Sequence, residues 1–174
     1  MKTLTDQLTQ YAYYHQDPRN INTHFVGVPM IVMAVVILMS RAEISLGGLS
    51  INLAIIAATL TTVFYLRLDL RFGVVLGLVF TLMVAGGQWL AAQSTALWLG
   101  AGVGLFAVGW IIQFVGHYFE GKKPAFVDDL VGLLIGPLFV TAELGFLLRM
   151  RLALKTEIYD RLQRTGRLSG AALA

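Results

Sequence analysis

The chain has 174 residues, of which 57% are apolar and 13% charged, and it contains no cysteine. A soluble domain of this length carries about 25% charged residues, so this composition excludes one, and it excludes disorder and a coiled coil as well. Without cysteine there can be no disulfide framework, iron–sulfur cluster, thiolate zinc site or c-type haem attachment.

Leu4, Leu8 and Tyr11 follow i, i+4, i+7 spacing and predict an amphipathic interfacial helix within residues 1–19, with His15 next on the inward stripe. Pro18 pushes Asp17 out of the α region and must end it. Asn20, Asn22 and Thr23 are then candidate caps for a first span, which places His24 in or near its first turn. Residues 20–40, 44–66 and 72–119 contain no Lys, Arg, Asp or Glu. A spanning helix needs roughly 20 apolar residues, so the last stretch holds two, with Gln93-Ser94-Thr95 as their turn. A fifth apolar stretch, Leu130 to Leu148, contains Gly136-Pro137 and an acid, Glu143. The basic tail from Arg149 to Arg167 carries Leu152, Ile158, Tyr159 and Leu162 and reads as a surface helix. No cleaved signal peptide is expected.

If all five stretches span, Lys and Arg show no bias between the two sides. If the fifth dips in and returns, all thirteen except Arg41 share one side, which is then the cytoplasmic one. The expected fold class is therefore an all-α polytopic integral membrane helix bundle. It has four spans plus a half-inserted or kinked fifth helix, with 1–19 interfacial, 20–148 the bundle and 149–174 the basic tail. The formal net charge of +3 belongs to this rim and its phospholipid headgroups, not to nucleic acid. Gly73/Gly77, Gly100/Gly104 and Gly132/Gly136 would let helices approach closely within the molecule.

The chain has three histidines, His15, His24 and His117, and either topology puts them at one membrane face. Gln113, His117 and Glu120 form a polar stripe at i, i+4, i+7 on an otherwise apolar helix, and ionisable groups at such depth mark function by default. Neutral imidazole is the commonest metal ligand, and histidine with carboxylate but no cysteine suits iron, manganese or zinc. A pairing of Glu143 with Arg149 or Lys123, and Asp128-Asp129 as a helix cap, are the plain structural alternatives. There is no H-E-x-x-H, no phosphate loop and no G-x-G-x-x-G.

Two blocks carry a resemblance. Tyr14-His15-Gln16-Asp17-Pro18-Arg19-Asn20 with His24 and Val28-Pro29, and Gly109 to His117 with Phe119-Glu120 and Lys123-Pro124-Ala125, resemble the fungal 2-hydroxy fatty acid dioxygenase family. Asp128/Asp129, Gly136-Pro137 and Glu143 follow in the family's order. The resemblance implies an Fe(II)-dependent membrane enzyme that shortens a 2-hydroxy fatty acid by one carbon, as in α-oxidation of the phytosphingosine base. It maps the family's histidines onto His15, His24 and His117, with Glu120 as the nearest carboxylate for the metal. Arg19, Lys122, Lys123 and Gln113 are the candidates to bind substrate. Gln16, Asn20, Asp128 and Glu143 are candidates to orient the ligands. One position departs: where the fungal pattern has a second histidine after the first, this chain has Gln16.

That reaction turns a 2-hydroxy acid into the next shorter acid plus carbon dioxide and releases four electrons, the number that one dioxygen accepts. It needs no nicotinamide, flavin or keto-acid, and no motif for one is present. The competing readings are a membrane hydroxylase, a zinc hydrolase, a haem- or lipid-binding protein using His24 and His117, and a transporter with Glu143 as proton relay. The expected membrane is the inner membrane in a bacterium and the endoplasmic reticulum in a eukaryote.

Overall fold

The structure is a computed structural model that describes residues 2–47, 49–122 and 131–168, apart from the side chains of Leu46 and Leu49. Among these residues the order is α1 (Leu4–Tyr13), α2 (Pro18–Met39), β1 (Glu43–Leu46), β2 (Leu49–Asn52), α3 (Leu53–Leu68), α4 (Leu70–Ala91), α5 (Thr95–Glu120), α6 (Val131–Leu147) and α7 (Leu152–Arg164). The protein is an all-α membrane bundle. Helices α2, α4 and α5 are long and apolar enough to cross a bilayer. Helices α6 and α7 form a pair bent by 116°, the geometry of a broken span or a re-entrant segment.

The chain divides into two compact units, one made of Met1–Val28 with Ile112–Ala174 and the other of Pro29–Ile111. The border falls within α2 and α5.

In the 29–111 unit, the turn expected at Gln93-Ser94-Thr95 joins α4 to α5. Arg41 holds it: its guanidinium donates to the carbonyls of Ala91 (2.9 Å) and Gln93 (2.6 Å) and lies 4.4 Å from the Trp98 ring. Ala91 is the last residue of α4, so its carbonyl lacks an internal partner and a cation is favoured there. Helices α3 and α4 approach closely because Gly73 and Gly77 have no Cβ. A Cβ on Gly73 would lie 2.6 Å from the Leu66 backbone, and one on Gly77 would lie 2.8 Å from Thr62. Both glycines serve packing within the molecule.

Residues 44–66 do not form one span. Their first part is a hairpin, with Ile44 opposite Ile51 and the Ser45 and Ser50 hydroxyls 3.0 Å apart. Apolar residues alternating with serine around Gly47-Gly48 are a hairpin signal, and Gly47 takes φ +57°. Helix α3 is left with 16 residues, about 24 Å at 1.5 Å per residue, short of a hydrocarbon core of about 30 Å.

In the other unit, Thr3 and Asp6 form a capping box that starts α1 and buries Leu4, Leu8 and Tyr11. Helix α2 begins earlier than Asn20 or Thr23 would set it. Pro18 is its first residue, and the Asp17 carboxylate accepts from the Arg19 N–H at 2.8 Å. Proline is favoured at that position because its missing N–H costs nothing there, and Asp17 is the natural cap. Helix α6 runs unbroken through Pro137; the turn comes instead at Leu148–Arg151, where Arg149 and Arg151 are left-handed. Helix α7 does not lay its apolar stripe on lipid. Leu154, Ile158 and Leu162 are buried, and Arg161 reaches Asp6 of α1 at 2.7 Å. Lys123, Asp128 and Asp129 lie outside the described residues.

Candidate metal centre

Three elements converge on the histidines, all within the unit built from the two chain ends. His15 follows the last turn of α1, its N–H bonded to the Ala12 carbonyl at 3.0 Å. His24 lies two turns into α2 and His117 one turn before the end of α5. The ring centroids are 4.3 Å apart for His15 and His24, 4.9 Å for His15 and His117, and 5.3 Å for His24 and His117. One nitrogen from each lies within 4.8 Å of the others, and all three side chains are buried.

The hydrogen bonds fix which nitrogens are free. His15 Nδ1 is 2.8 Å from the Tyr11 carbonyl and His24 Nδ1 is 2.9 Å from the Asn20 carbonyl. A carbonyl only accepts, so each Nδ1 carries the proton and each Nε2 presents a lone pair. His15 Nε2 and His117 Nδ1 are buried with no hydrogen-bonding partner. An orphaned buried lone pair costs about 1–3 kcal/mol, and a cation relieves it. A second nitrogen held on a backbone carbonyl is also how metal-binding imidazoles are oriented. These residues therefore fit a metal ion. Burial, and then the neighbouring His24, hold the His15 imidazole well below its ordinary 6.5, so the ring is neutral.

Tyr11 stacks on His15 with centroids 4.1 Å apart and planes 3° from parallel, and Phe139 of α6 packs 5.5 Å from the same ring. A Cβ on Gly136 would lie 3.2 Å from the Tyr11 hydroxyl. Gly116 is tighter: a Cβ there would collide with Thr23 Oγ1 and sit 2.5 Å from Asn20 Oδ1. The absence of that Cβ lets α2 and α5 come close enough for His24 and His117 to meet. Tyr11 was legible as part of the α1 stripe. Phe139 and Gly116 carry no local sequence signal, since their importance lies in contacts with distant segments.

Glu120 is not one of the three-histidine group. Its carboxylate accepts from the backbone N–H of Gln16 (3.0 and 3.1 Å) and Asp17 (2.8 Å) and from Asn20 Nδ2 (3.1 Å). Lys122 Nζ is 3.9 Å away and donates to the Tyr13 carbonyl at 2.8 Å. Gln16 points its amide at the Tyr13 and Arg167 carbonyls, at 3.2 and 2.8 Å. Arg19 is exposed, pairs with Asp17 at 2.8 Å, and lies 4.7 Å from the Phe119 ring. Asn20 and Gln113 are buried, each one helical turn from a histidine, and Asn20 Oδ1 and Gln113 Nε2 have no partner. Glu143 is buried on α6, within electrostatic reach of Lys155.

Fold and site together define a polytopic membrane protein with a buried three-histidine centre that can bind a metal ion. A family model described as "2-hydroxy-palmitic acid dioxygenase Mpo1-like" matches residues 1–148. The chain is 34% identical over 161 residues to the 2-hydroxy-palmitic acid dioxygenase MPO1 of Saccharomyces cerevisiae, covering 89% of each chain. This chain belongs to the Mpo1-like family. No solved structure matches it.

Proposed function

We propose that this protein is an Fe(II)-dependent dioxygenase that converts a 2-hydroxy fatty acid into the acid one carbon shorter. The observation that carries the reading is the set of three buried imidazoles, each with a ring nitrogen within 4.8 Å of the others, in a chain 34% identical to a protein named for that activity. The reaction balances without a reductant: R–CH(OH)–COOH and O2 give R–COOH, CO2 and H2O. When bound, Fe(II) supplies Lewis acidity toward the substrate's oxygens and the capacity to activate dioxygen.

The protein's own groups have assignable parts. His15, His24 and His117 hold the metal. The carbonyls of Tyr11 and Asn20 keep two of the rings in the tautomer that presents Nε2. Glu120 acts as a positioning residue. By holding two backbone N–H groups and the Asn20 amide, it ties the His15 loop to α5 and fixes His15 against His117. Gln16, which stands where the fungal pattern has a second histidine, fixes the same loop from the opposite direction through the Arg167 carbonyl. Asn20 Oδ1 and Gln113 Nε2 are an unused acceptor and an unused donor, suited to the substrate's 2-hydroxyl and carboxylate. Lys122 and Arg19 steer the carboxylate from the cytoplasmic rim, and the alkyl chain lies among apolar helices. The three rings touch one another and leave no slot for a porphyrin between any pair, which favours a single ion over haem.

The test is metal content by mass spectrometry after anaerobic reconstitution with Fe(II), beside 2-hydroxypalmitate turnover with dioxygen. The expected result is near-stoichiometric iron and one pentadecanoate and one CO2 per O2, all lost in His117→Ala. Iron absent from the reconstituted wild type would overturn the reading. Zinc in its place would keep the site and redirect the chemistry to hydrolysis.

A further inference from the structure

Beyond the histidine centre, α1 and α7 enclose a second cleft of about 660 Å³. Its lining includes Asp6, Thr9, Tyr13, Tyr14, Arg161, Arg164 and Arg167. Arg161 is committed to Asp6 and Glu157, each at 2.7 Å. Arg164 and Arg167 have no ion pair among the described residues. Arg167 is brought to the cleft by Gly166, whose φ of +64° turns the chain back after α7. Its N–H then closes on the Leu162 carbonyl at 2.9 Å, its carbonyl takes the Gln16 amide, and its guanidinium lies 5.1 Å from the Tyr13 ring. Thr9 Oγ1 is buried without a partner. The cleft thus offers two guanidiniums without an ion pair, that of Arg167 held beside the Tyr13 ring, together with two tyrosines. Such a set suits a tetrahedral oxyanion better than a lone carboxylate, which one arginine already satisfies.

The bend before α7 says where the anion comes from. Leu147, Leu148, Met150 and Leu152 are 68%, 64%, 58% and 49% exposed, a cluster of apolar side chains that belongs in lipid. Helix α7 is 13 residues, about 20 Å, so it leads from that apolar anchor to the arginine cleft. We propose that the cleft is a binding site for the phosphate-bearing headgroup of an anionic phospholipid. It seats the α1–α7 pair on the membrane surface, and because Tyr13 and Tyr14 line it, the bound headgroup adjoins the segment that carries His15. This inference does not depend on the metal or on the reaction.

The test uses the full-length protein in phosphatidylcholine nanodiscs, with and without phosphatidylglycerol, read by amide hydrogen exchange over residues 159–168. Dihexanoyl phosphatidylglycerol, dihexanoyl phosphatidylcholine and inorganic phosphate serve as soluble probes in detergent. Phosphatidylglycerol should protect these amides and phosphatidylcholine should not. Arg164→Glu should weaken the protection by at least about tenfold, since each basic contact at an anionic surface is worth about fivefold. Arg164→Lys should keep most of it. Unchanged helix content and histidine-bound metal in both variants separate this result from misfolding and from loss of the catalytic centre. Equal protection by the two lipids, undiminished protection in Arg164→Glu, or inorganic phosphate binding as tightly as the lipid would each overturn the proposal.

Discussion

The two units solve the problem of folding in a bilayer differently. The 29–111 unit buries little that is polar: Ser40, whose hydroxyl donates to Val36, and Asn52, which caps α3. Its helices meet through glycine against backbone and through Arg41 on helix-end carbonyls, contacts that give shape and no chemistry. The other unit buries His15, Gln16, Asp17, Asn20, His24, Gln113, His117 and Glu143. Polar groups in a membrane protein's interior are expensive unless satisfied, and four of the atoms left unsatisfied here belong to His15, Asn20, Gln113 and His117. The cost is concentrated where a metal and an oxygen-rich substrate would relieve it.

The largest break in this contrast should come from the ligands. His15→Ala, His24→Ala or His117→Ala should each abolish iron retention and turnover, by more than the 10- to 100-fold that loss of a supporting residue costs. Arg41→Ala in the other unit should lower thermal stability and leave iron content unchanged. Iron retained in all three histidine variants would refute the centre.

Glycine substitutions sharpen the comparison, because a Cβ on Gly73 would meet the Leu66 backbone and one on Gly116 the side chains of Thr23 and Asn20. Each should cost about 1–3 kcal/mol as alanine through overpacking. Gly73→Ala separates α3 from α4 and should change the unfolding midpoint alone. Gly116→Ala pushes α5 from α2 and should reduce iron binding as well. Gly100→Ala, which meets nothing within 4 Å, is the neutral control. Glu120→Gln keeps the shape but weakens four charge-assisted contacts. It should lower iron affinity about 10- to 100-fold. An unchanged affinity would mean that the His15 loop holds itself.

The contrast was only partly visible in the sequence. Charge-free stretches marked α2, α4 and α5 because a missing charge is a local property that needs no partner. The convergence of His15, His24 and His117 was legible because the helix period and the count of turns put them at one end. The service that Glu120 gives to the Gln16 and Asp17 N–H groups was not, since it joins residues about a hundred positions apart and leaves no periodic trace. Pro137 misled in the other direction. A proline inside a helix removes one bond, but α6 continues through it, with the Ile135–Phe139 segment buried. The hairpin does not stand out by charge, because from Ile44 onward it shares one charge-free stretch with α3, and only its serine alternation around Gly47-Gly48 marks it.

Titration distinguishes the units less strongly. The folded state holds His15 below its ordinary 6.5, so as pH falls under that value the unfolded chain binds a proton that the folded one refuses. Stability from this group is complete above about pH 6.5 and declines as pH drops toward the folded value, by at most about 1.4 kcal/mol per pH unit. Unfolding of the metal-free protein at pH 7.5 and 5.5 should show the decline, and His15→Gln should flatten it. A decline of the same size in His15→Gln would assign the effect to another group.

The smallest expected effect lies at the bend between α6 and α7. The Met150 N–H bonds the Gly145 carbonyl at 2.8 Å and the Arg149 N–H bonds the Phe146 carbonyl at 3.0 Å, the pattern of a helix end that calls for a left-handed residue. Arg149 fills that place with φ 59°, where glycine would be unstrained. Arg149→Gly should therefore stabilise the protein by about 1 kcal/mol in detergent. If the side chain instead earns its strain by reaching headgroups beside the exposed Leu147 and Leu148, the gain should vanish in anionic nanodiscs and persist in neutral ones. A substitution that stabilises equally in both would make Arg149 a structural accident of the turn, whereas a lipid-dependent sign would extend the membrane contact of α7 from its arginine cleft back to the bend itself.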